Sequence, residues 1–139
     1  MLVLDTDHLT ELGYRTGPGL RLEERLHRSQ EDVVITVVSA EEAMKGRLAR
    51  LAATRDVADQ LTGYQHFART IQFLAEFTLL PWDGESAARF KQFRGQGIRI
   101  GTADLKIACI TLEHEALLLT RNTADYAKVP GLRFENWLA

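Results

Sequence analysis

Short apolar runs that alternate with longer helical segments constrain the fold of this chain more than any other feature of its sequence. The clearest run is Val33–Val38, in which every residue is β-branched, as is typical of a buried strand. Further strands are predicted at Leu2–Leu4, Phe77–Leu80, Ala116–Thr120 and near Arg133–Phe134. Because strands that alternate with helices form parallel sheets covered on both faces, the sequence predicts an α/β fold. We expect a three-layer α/β/α sandwich around a central, mainly parallel sheet.

Two long helical segments follow the β-branched run with no strand between them, and they predict a helical hairpin. They cover Ser39–Ala53 and Asp56–Phe77. Their apolar residues recur at helical spacing: Leu48, Leu51, Leu61, Tyr64, Phe67, Ile71 and Leu74. The other predicted helices are His8–Leu12, Leu20–Arg28, Ser86–Phe93, Thr102–His114 and a short one around Ala124–Ala127.

The composition is that of one globular domain that spans residues 1–139, with 45% hydrophobic and 26% charged residues. The net charge of −2 neither predicts nor excludes a nucleic-acid partner, because binding depends on where the charges lie. Cys109 is the single cysteine and is expected to be buried, so no internal disulfide can form. The N-terminal residues lack a basic leader and a long apolar stretch, so we expect a cytoplasmic protein without a membrane partner.

Four acidic residues stand where predicted strands end and predicted helices begin: Asp5, Glu42, Asp104 and Asp125. In a parallel sheet such ends lie along one edge, so we expect the four side chains to share one cleft. Clustered carboxylates repel one another unless protons or metal ions neutralise them. A site of oxygen ligands suits Mg²⁺ or Mn²⁺, and no Cys/His cluster with zinc spacing is present.

Helix capping offers a competing explanation for each of these acids. Asp7 is better placed than Asp5 to cap the first helix, which leaves Asp5 free for another role. Ser39 and Glu42 fit a capping box, in which the glutamate reaches back to the start of its helix.

The last two acids also have capping explanations. Thr102 is the predicted N-cap of the helix that carries Asp104, and an acid in a first turn interacts favourably with the helix dipole. Asn122 and Asp125 can stabilise the start of a short helix in the same way. The capping and metal-binding explanations therefore both stay open for these residues.

Basic residues near the third acid suggest contacts to phosphate groups. Arg94 and Arg99 lie in the glycine-rich stretch before Asp104, and Arg121 lies beside the fourth strand. Magnesium held by carboxylates can activate a water and stabilise the leaving oxygen in a displacement at phosphorus. These residues together predict phosphodiester hydrolysis.

Four segments, in order along the chain, resemble the successive motifs of PIN-domain ribonucleases, and most closely the VapC-like toxins of bacterial and archaeal toxin–antitoxin pairs. The segments are Met1–Leu9, Thr36–Gly46, Ile100–Ala108 and Leu119–Tyr126, the last followed by Val129–Leu132. The resemblance spans nearly the whole chain. It implies a PIN-like α/β/α fold with a helical hairpin.

The resemblance also implies which residues form the site. Asp5, Glu42 and Asp104 would be the metal-binding core, with Glu42 preferred to Glu41 because it stands four residues before Gly46. The fourth ligand is open between two residues. Asp125 is the stronger choice, with Asn122 orienting it, and Thr6 and Thr102 would hold the ligands or their waters in place.

By the same resemblance, the chain would be a Mg²⁺-dependent endoribonuclease that acts on RNA and forms a homodimer. Mn²⁺ would be a possible substitute for the magnesium. A small cognate antitoxin would wrap the toxin and block the cleft. The helical hairpin would supply the dimer face and the antitoxin groove.

Two other functions stay open. Asp5-Thr6-Asp7 resembles the first motif of haloacid-dehalogenase-like phosphatases, in which the first aspartate is a nucleophile, although Leu9 departs from that pattern. A non-catalytic PIN-like binding module is the other alternative, and Asn122 in place of an acid is its main support.

Overall fold

Five strands form one sheet in a computed structural model that describes residues 1–139. All four strand pairs are parallel, and the spatial order is β3-β2-β1-β4-β5. The strands are β1 Leu2–Leu4, β2 Val33–Thr36, β3 Thr78–Leu80, β4 Leu117–Leu119 and β5 Arg133–Glu135. The predicted parallel α/β architecture is therefore confirmed.

Seven helices connect and cover the strands. They are α1 Thr6–Tyr14, α2 Gly17–Ser29, α3 Val37–Ala53, α4 Val57–Leu74, α5 Gly84–Gly95, α6 Thr102–Glu113 and α7 Thr123–Tyr126. No helix combines the length and the apolar character that would be needed to cross a bilayer.

Each face of the sheet is covered by its own apolar core, because successive strand residues point to opposite faces. Val3 and Leu118 belong to the core that α6 completes, in which Ile107, Cys109 and Ile110 are fully buried. The burial of Cys109 raises the pKa of its thiol to about 11.

The opposite core contains the neighbouring strand residues Leu2, Leu4 and Leu119 together with Leu9 of α1 and Leu22 of α2. Burying a large aliphatic side chain contributes about 1.5–3 kcal/mol, so the two cores hold the three layers together.

The second strand ends two residues earlier than the β-branched run predicts. Thr36 is the N-cap of α3, and its Oγ1 accepts a hydrogen bond from the Ser39 backbone N–H at 3.0 Å. Val37 and Val38 consequently lie in the first turn of a helix, where Val38 is buried in the core. The capping box predicted for Ser39 and Glu42 is wrong, because Glu42 lies in the second turn.

Two other predicted caps are also wrong. Asp5, not Asp7, is the N-cap of α1, and its carboxylate accepts from the Thr6 backbone N–H at 2.9 Å. Gly101 is the N-cap position of α6, so Thr102 is the first residue of that helix and caps nothing. In each case the helix begins one or more residues earlier than the capping pattern predicts.

Helices α3 and α4 pack against each other and confirm the predicted hairpin. Gly63 allows their close approach, since a Cβ at this position would lie 2.7 Å from the Leu51 side chain. Several of the apolar side chains on the hairpin remain exposed, among them Val57, Leu61 and Tyr64. The hairpin therefore presents an apolar surface that the rest of the chain does not cover.

Candidate functional site

The four predicted acids come together at the carboxyl ends of the central strands. Asp5 follows β1, Asp125 lies in the short helix after the neighbouring β4, and Asp104 lies in the first turn of α6. The charges are close enough to influence one another. Asp104 raises the pKa of Asp5, and Glu42 and Asp125 raise the pKa of Asp104.

Asp5 is the most buried of the four acids, with 5% of its surface exposed. One carboxylate oxygen accepts from the Thr6 backbone N–H, and the other accepts from Thr120 Oγ1 at 2.7 Å. Burial raises the pKa of Asp5 to about 6, and the nearby Asp7 and Asp104 carboxylates add to this effect. The ionised form of Asp5 therefore lacks the stabilisation that a neighbouring cation would give.

Glu42 is joined to the first helix through Thr6. The Thr6 hydroxyl donates to Glu42 Oε1 at 2.6 Å, while the Thr6 backbone N–H donates to Asp5. Thr6 thus contacts two of the acids, which fits the expectation that it holds them in place. The second-turn position of Glu42 also means that helix capping cannot account for this residue.

Asn122 bridges the remaining two acids. Its Nδ2 lies 3.1 Å from Asp104 Oδ2 and 3.1 Å from Asp125 Oδ2, so in this arrangement the amide donates to both carboxylates. The Asp125 side chain is 40% exposed and also contacts Lys128 Nζ at 3.5 Å. Burial raises the pKa of Asp104, followed in effect by the charge of Glu42.

The structure does not bring Thr102 to the acids. Its side chain is exposed and its hydroxyl lies 3.5 Å from Arg94 Nη2, without a hydrogen bond to any carboxylate. The expected role of Thr102 in holding the ligands has no support in its contacts.

The three predicted phosphate-contacting arginines differ in their contacts. Arg94 donates to the backbone carbonyls of Ile98 and Ile100, each at 2.9 Å, and so fixes the loop before α6. Arg121 pairs with Glu11 at 3.0 Å. Arg99 is exposed and has no ion-pair partner, which leaves it the one member of the set free to contact a phosphate.

Two residues of the segment after β4 were missed by the sequence reasoning. Thr120 is fully buried and donates to Asp5, although 115 positions separate them. Tyr126 is also fully buried, and its hydroxyl lies 3.4 Å from Asp104 Oδ1. Thr120 could have been predicted as a site residue, because it is a polar residue directly after the buried apolar run of β4.

The sequence also did not reveal that half-buried Asp7 pairs with the buried His8 and contacts the segment after β4. His8 is fully buried, with Nδ1 2.5 Å from Asp7 Oδ1, and its Nε2 accepts from the Trp137 backbone N–H at 3.1 Å. This pattern places the proton on Nδ1. The other oxygen of Asp7 accepts from the Arg121 backbone N–H at 3.0 Å, which ties the β4–α7 junction to α1.

A hard divalent cation fits this donor set by its chemistry. As they lie, no three His, Cys, Asp or Glu side chains are arranged to hold a metal ion. Asp5, Glu42 and Asp104 nevertheless form no ion pair with any Lys, Arg or His side chain. Burial, and then the neighbouring carboxylates, raise the pKa values of Asp5 and Asp104. A cation held among these side chains would neutralise their repulsion.

A groove of about 530 Å³ begins at the acid cleft and runs between α1, α3 and α4. Thr6 and Glu42 line one part of it. Its other lining residues include three apolar side chains and three arginines: Leu9, Phe73, Leu74, Arg47, Arg50 and Arg69. Arg50 and Arg69 have no ion-pair partner within the chain, so the groove combines apolar surface with unneutralised positive charge.

Similarity to known proteins is found by structure and not by sequence. No protein-family model matches this chain, and no curated protein sequence matches it significantly. A chain of the DNA-bound VapBC structure from Salmonella typhimurium matches with a TM-score of 0.76 at 20% identity, over 98% of this chain and 97% of that one.

Two further solved structures give similar values. A chain of VapBC-1 from nontypeable Haemophilus influenzae has a TM-score of 0.73 at 23% identity, over 99% of this chain and 98% of that one. A chain of FitAcB from Neisseria gonorrhoeae has a TM-score of 0.70 at 23% identity, with the same coverage of both chains.

This similarity establishes the fold. The chain has the PIN-like α/β/α architecture. Its predicted resemblance to chains of VapBC toxin–antitoxin complexes is confirmed for the fold.

Proposed function

We propose that this protein is a metal-dependent endoribonuclease, with Mg²⁺ as its ion and Mn²⁺ as a substitute, and that it is the toxin of a toxin–antitoxin pair. One observation carries the proposal: Asp5, Glu42 and Asp104 converge at the strand ends without a neutralising cation. The shared fold with chains of VapBC complexes supports the biological class. The buried, mutually repelling acids support the metal.

The chain's own residues would act mainly by holding the metal ion and by orienting the carboxylates that bind it. Asp5, Glu42 and Asp104 would hold the ion, with Asp125 at the more exposed side of the cleft. A bound Mg²⁺ supplies an activated water and stabilises the leaving oxygen of an in-line displacement at phosphorus. Thr6 and Thr120 donate hydrogen bonds to Asp5 and Glu42, which fixes their carboxylates before a substrate arrives.

The RNA backbone would contact basic residues beside the cleft. Arg99 is exposed and unpaired, and Arg121 is available if a phosphate displaces Glu11 from it. Arg94 is already bound to two backbone carbonyls, so its contribution is to shape the loop that carries Arg99. Phosphate contacts of this kind position RNA without selecting its sequence.

A small antitoxin would bind the groove between α1, α3 and α4. The groove offers an apolar anchor site and two unpaired arginines, which suits a segment that carries both an apolar side chain and carboxylates. Because Glu42 and Thr6 line the same groove, a bound segment would obstruct the acid cleft. The exposed apolar side chains of the hairpin would be covered by a second copy of the chain.

The phosphatase alternative fits the site less well. A nucleophilic aspartate must reach a phosphorus atom, but Asp5 is buried and both its oxygens accept hydrogen bonds.

The decisive experiment is an RNA cleavage assay with and without Mg²⁺ or Mn²⁺, carried out on the wild-type protein and on single variants. We expect Asp5→Ala and Asp104→Ala each to lower the rate by at least about 100-fold, because metal ligands act only together. Asp125→Asn should lower it by about tenfold, since the exposed Asp125 contributes less binding. Asp59→Ala, at an exposed helix start, is the matched control and should change nothing.

Undiminished cleavage in Asp5→Ala or Asp104→Ala would contradict the mechanism. A covalent aspartyl-phosphate on Asp5, detected after incubation with a phosphomonoester, would instead support the phosphatase. Metal-independent retention of RNA by the wild-type protein without cleavage would support the binding module.

A further inference from the structure

Tyr126 is the largest fully buried side chain of the protein, and its hydroxyl lies at the acid cleft. A buried phenol needs a hydrogen-bond partner, and here the partner is Asp104 Oδ1 at 3.4 Å. Burial raises the pKa of Tyr126 well above its usual value, and the Asp5 and Asp104 carboxylates raise it further. The hydroxyl is therefore a hydrogen-bond donor placed beside the proposed metal ligand Asp104.

Packing does not require this hydroxyl. The ring of Tyr126 belongs to the core between the sheet and α6, together with apolar neighbours such as Leu118 and Val129. A phenylalanine ring would fill the same volume in that core. The hydroxyl oxygen therefore contributes through its polar contact, and that contact is with Asp104 in the acid cleft.

The segment from β4 to α7 supplies most of the donors that hold the two central carboxylates. Thr120 donates to one oxygen of Asp5, and Asn122 and Tyr126 donate to the two oxygens of Asp104. Asp104 thus has one donor for each oxygen, and both donors come from a single short segment. Loss of either donor would free the side chain to turn away from Asp5, which repels it.

We propose that Tyr126 is a positioning residue, whose hydroxyl holds the Asp104 carboxylate at a fixed orientation to Asp5 so that both face one divalent cation. This inference rests on the proposed metal-dependent function. The 3.4 Å separation is long for a hydroxyl hydrogen bond, and such contacts at catalytic sites commonly tighten when the ligand binds. The hydroxyl does not touch RNA or the reacting atoms, so its effect is on affinity for the ion.

The test compares Tyr126→Phe with the wild-type protein and with Ser86→Ala, which removes a buried hydroxyl that has no hydrogen-bond partner and serves as the matched control. Binding of Mn²⁺ is measured by electron paramagnetic resonance, and the melting temperature is measured in EDTA. We expect Tyr126→Phe to weaken Mn²⁺ binding by about tenfold, as is usual when a partner of a metal ligand is removed. The melting temperature should not fall, and Ser86→Ala should match the wild-type protein in Mn²⁺ binding.

A second readout separates positioning from catalysis. At saturating Mn²⁺, the RNA cleavage rate of Tyr126→Phe should recover to within about threefold of wild type, because excess ion compensates for weaker binding. A rate that stays low at saturating Mn²⁺ would overturn the positioning role. A lower melting temperature of Tyr126→Phe in EDTA would show that the hydroxyl serves the fold, and would overturn it too.

The outcomes for the two proposals are distinct. Equal Mn²⁺ affinity in Tyr126→Phe and wild type overturns the role of Tyr126 and leaves the metal-dependent function intact. A wild-type protein that binds no Mn²⁺ overturns the metal-dependent function, and this inference falls with it.

Discussion

The acid cleft and the helical hairpin both depart from the usual arrangement of charged side chains outside and apolar side chains inside, but in opposite ways. In the cleft, a carboxylate is buried: Asp5 is 5% exposed. On the hairpin, large apolar side chains are exposed, and Leu61 is 63% exposed. Charged residues are rarely buried without a partner, and large apolar patches are rarely left in water. Capping of α1 by Asp5 explains part of its burial but not its raised pKa, and nothing in the single chain covers the hairpin. The proposed partners are a cation for the cleft and a protein surface for the hairpin.

The two regions also differ in how firmly they are held. Donors from two parts of the chain fix the cleft: the Thr6 backbone, and Thr120 and Asn122 in the segment after β4. Helix α3 of the hairpin packs on α1, α6 and the neighbouring strands, whereas α4 packs mainly on α3 and leaves several apolar side chains exposed. Changes to the buried Asp5 should therefore alter both stability and chemistry, whereas changes to the exposed side chains of the hairpin should alter association alone.

The largest effect is expected on the hairpin. Leu61→Asp places a charge in the proposed dimer face, and the cost of burying it there should weaken dimerisation by at least about 100-fold. The free energy of unfolding of the monomer should change by less than about 0.5 kcal/mol, because position 61 is exposed. Light scattering at micromolar concentration measures the mass, and chemical denaturation measures the stability.

Gln65→Asp, an exposed change on the same helix, is the control and should leave the mass unaltered. A Leu61→Asp variant that keeps a dimeric mass would show that this face of the hairpin is not the interface.

The second effect is a gain of stability in the cleft. The pKa of Asp5 is raised from 3.8 to about 6 in the folded protein. Its protonated form therefore contributes stability that is complete below pH 3.8 and is lost as the pH rises through about 6. Asp5→Asn removes this loss and should raise the free energy of unfolding of the metal-free protein by about 2 kcal/mol at pH 7.5.

Denaturation in EDTA at several pH values measures the difference between Asp5→Asn and wild type. The difference in the free energy of unfolding should grow as the pH rises from 3.8 to about 6, and it should stay nearly constant above that range. The same variant should lose RNA cleavage, as expected for a site that trades stability for function. A variant less stable than wild type at pH 7.5 would mean that Asp5 serves the fold and not a ligand.

The smallest effect is expected in the groove that joins the two regions. Arg50→Glu reverses one of its unpaired charges and should weaken binding of an acidic antitoxin segment by about tenfold. The probe is a synthetic acidic peptide that carries a bulky apolar side chain, with affinity measured by calorimetry. Arg55→Glu makes the same charge change outside the groove and should have no effect, and equal affinities for both variants would place the partner elsewhere.

The sequence predicts the architecture well because the strands and helices follow from local patterns of apolar residues. The run Val33–Val38 and the apolar run of β4 each predict a strand, and the hairpin follows from helical spacing. The end of β2 is mispredicted because Val37 and Val38 favour strands locally, while Thr36 caps a helix that begins at Val37. Tertiary packing of Val38 overrides its local preference.

The supports of the site were harder to predict than the acids themselves. The acids sit at strand ends, which a sequence pattern can locate. Thr120 and Tyr126 act through contacts with residues far away in sequence, and no local pattern records such contacts. Arg94 shows the reverse error: its charge suggested a phosphate contact, but its guanidinium is bound to backbone carbonyls of the neighbouring loop.

The bond between His8 and the Trp137 backbone has a consequence for the order of folding. It joins residues 129 positions apart, and the bond between Thr120 and Asp5 joins residues 115 apart. Contacts of such long range form late, because the chain between them must first be ordered. A ribosome must therefore release the segment after β4 before Asp5 meets Thr120. A nascent copy that lacks this segment would carry Asp5, Glu42 and Asp104 but no assembled cleft, and it would be inactive under the proposed function.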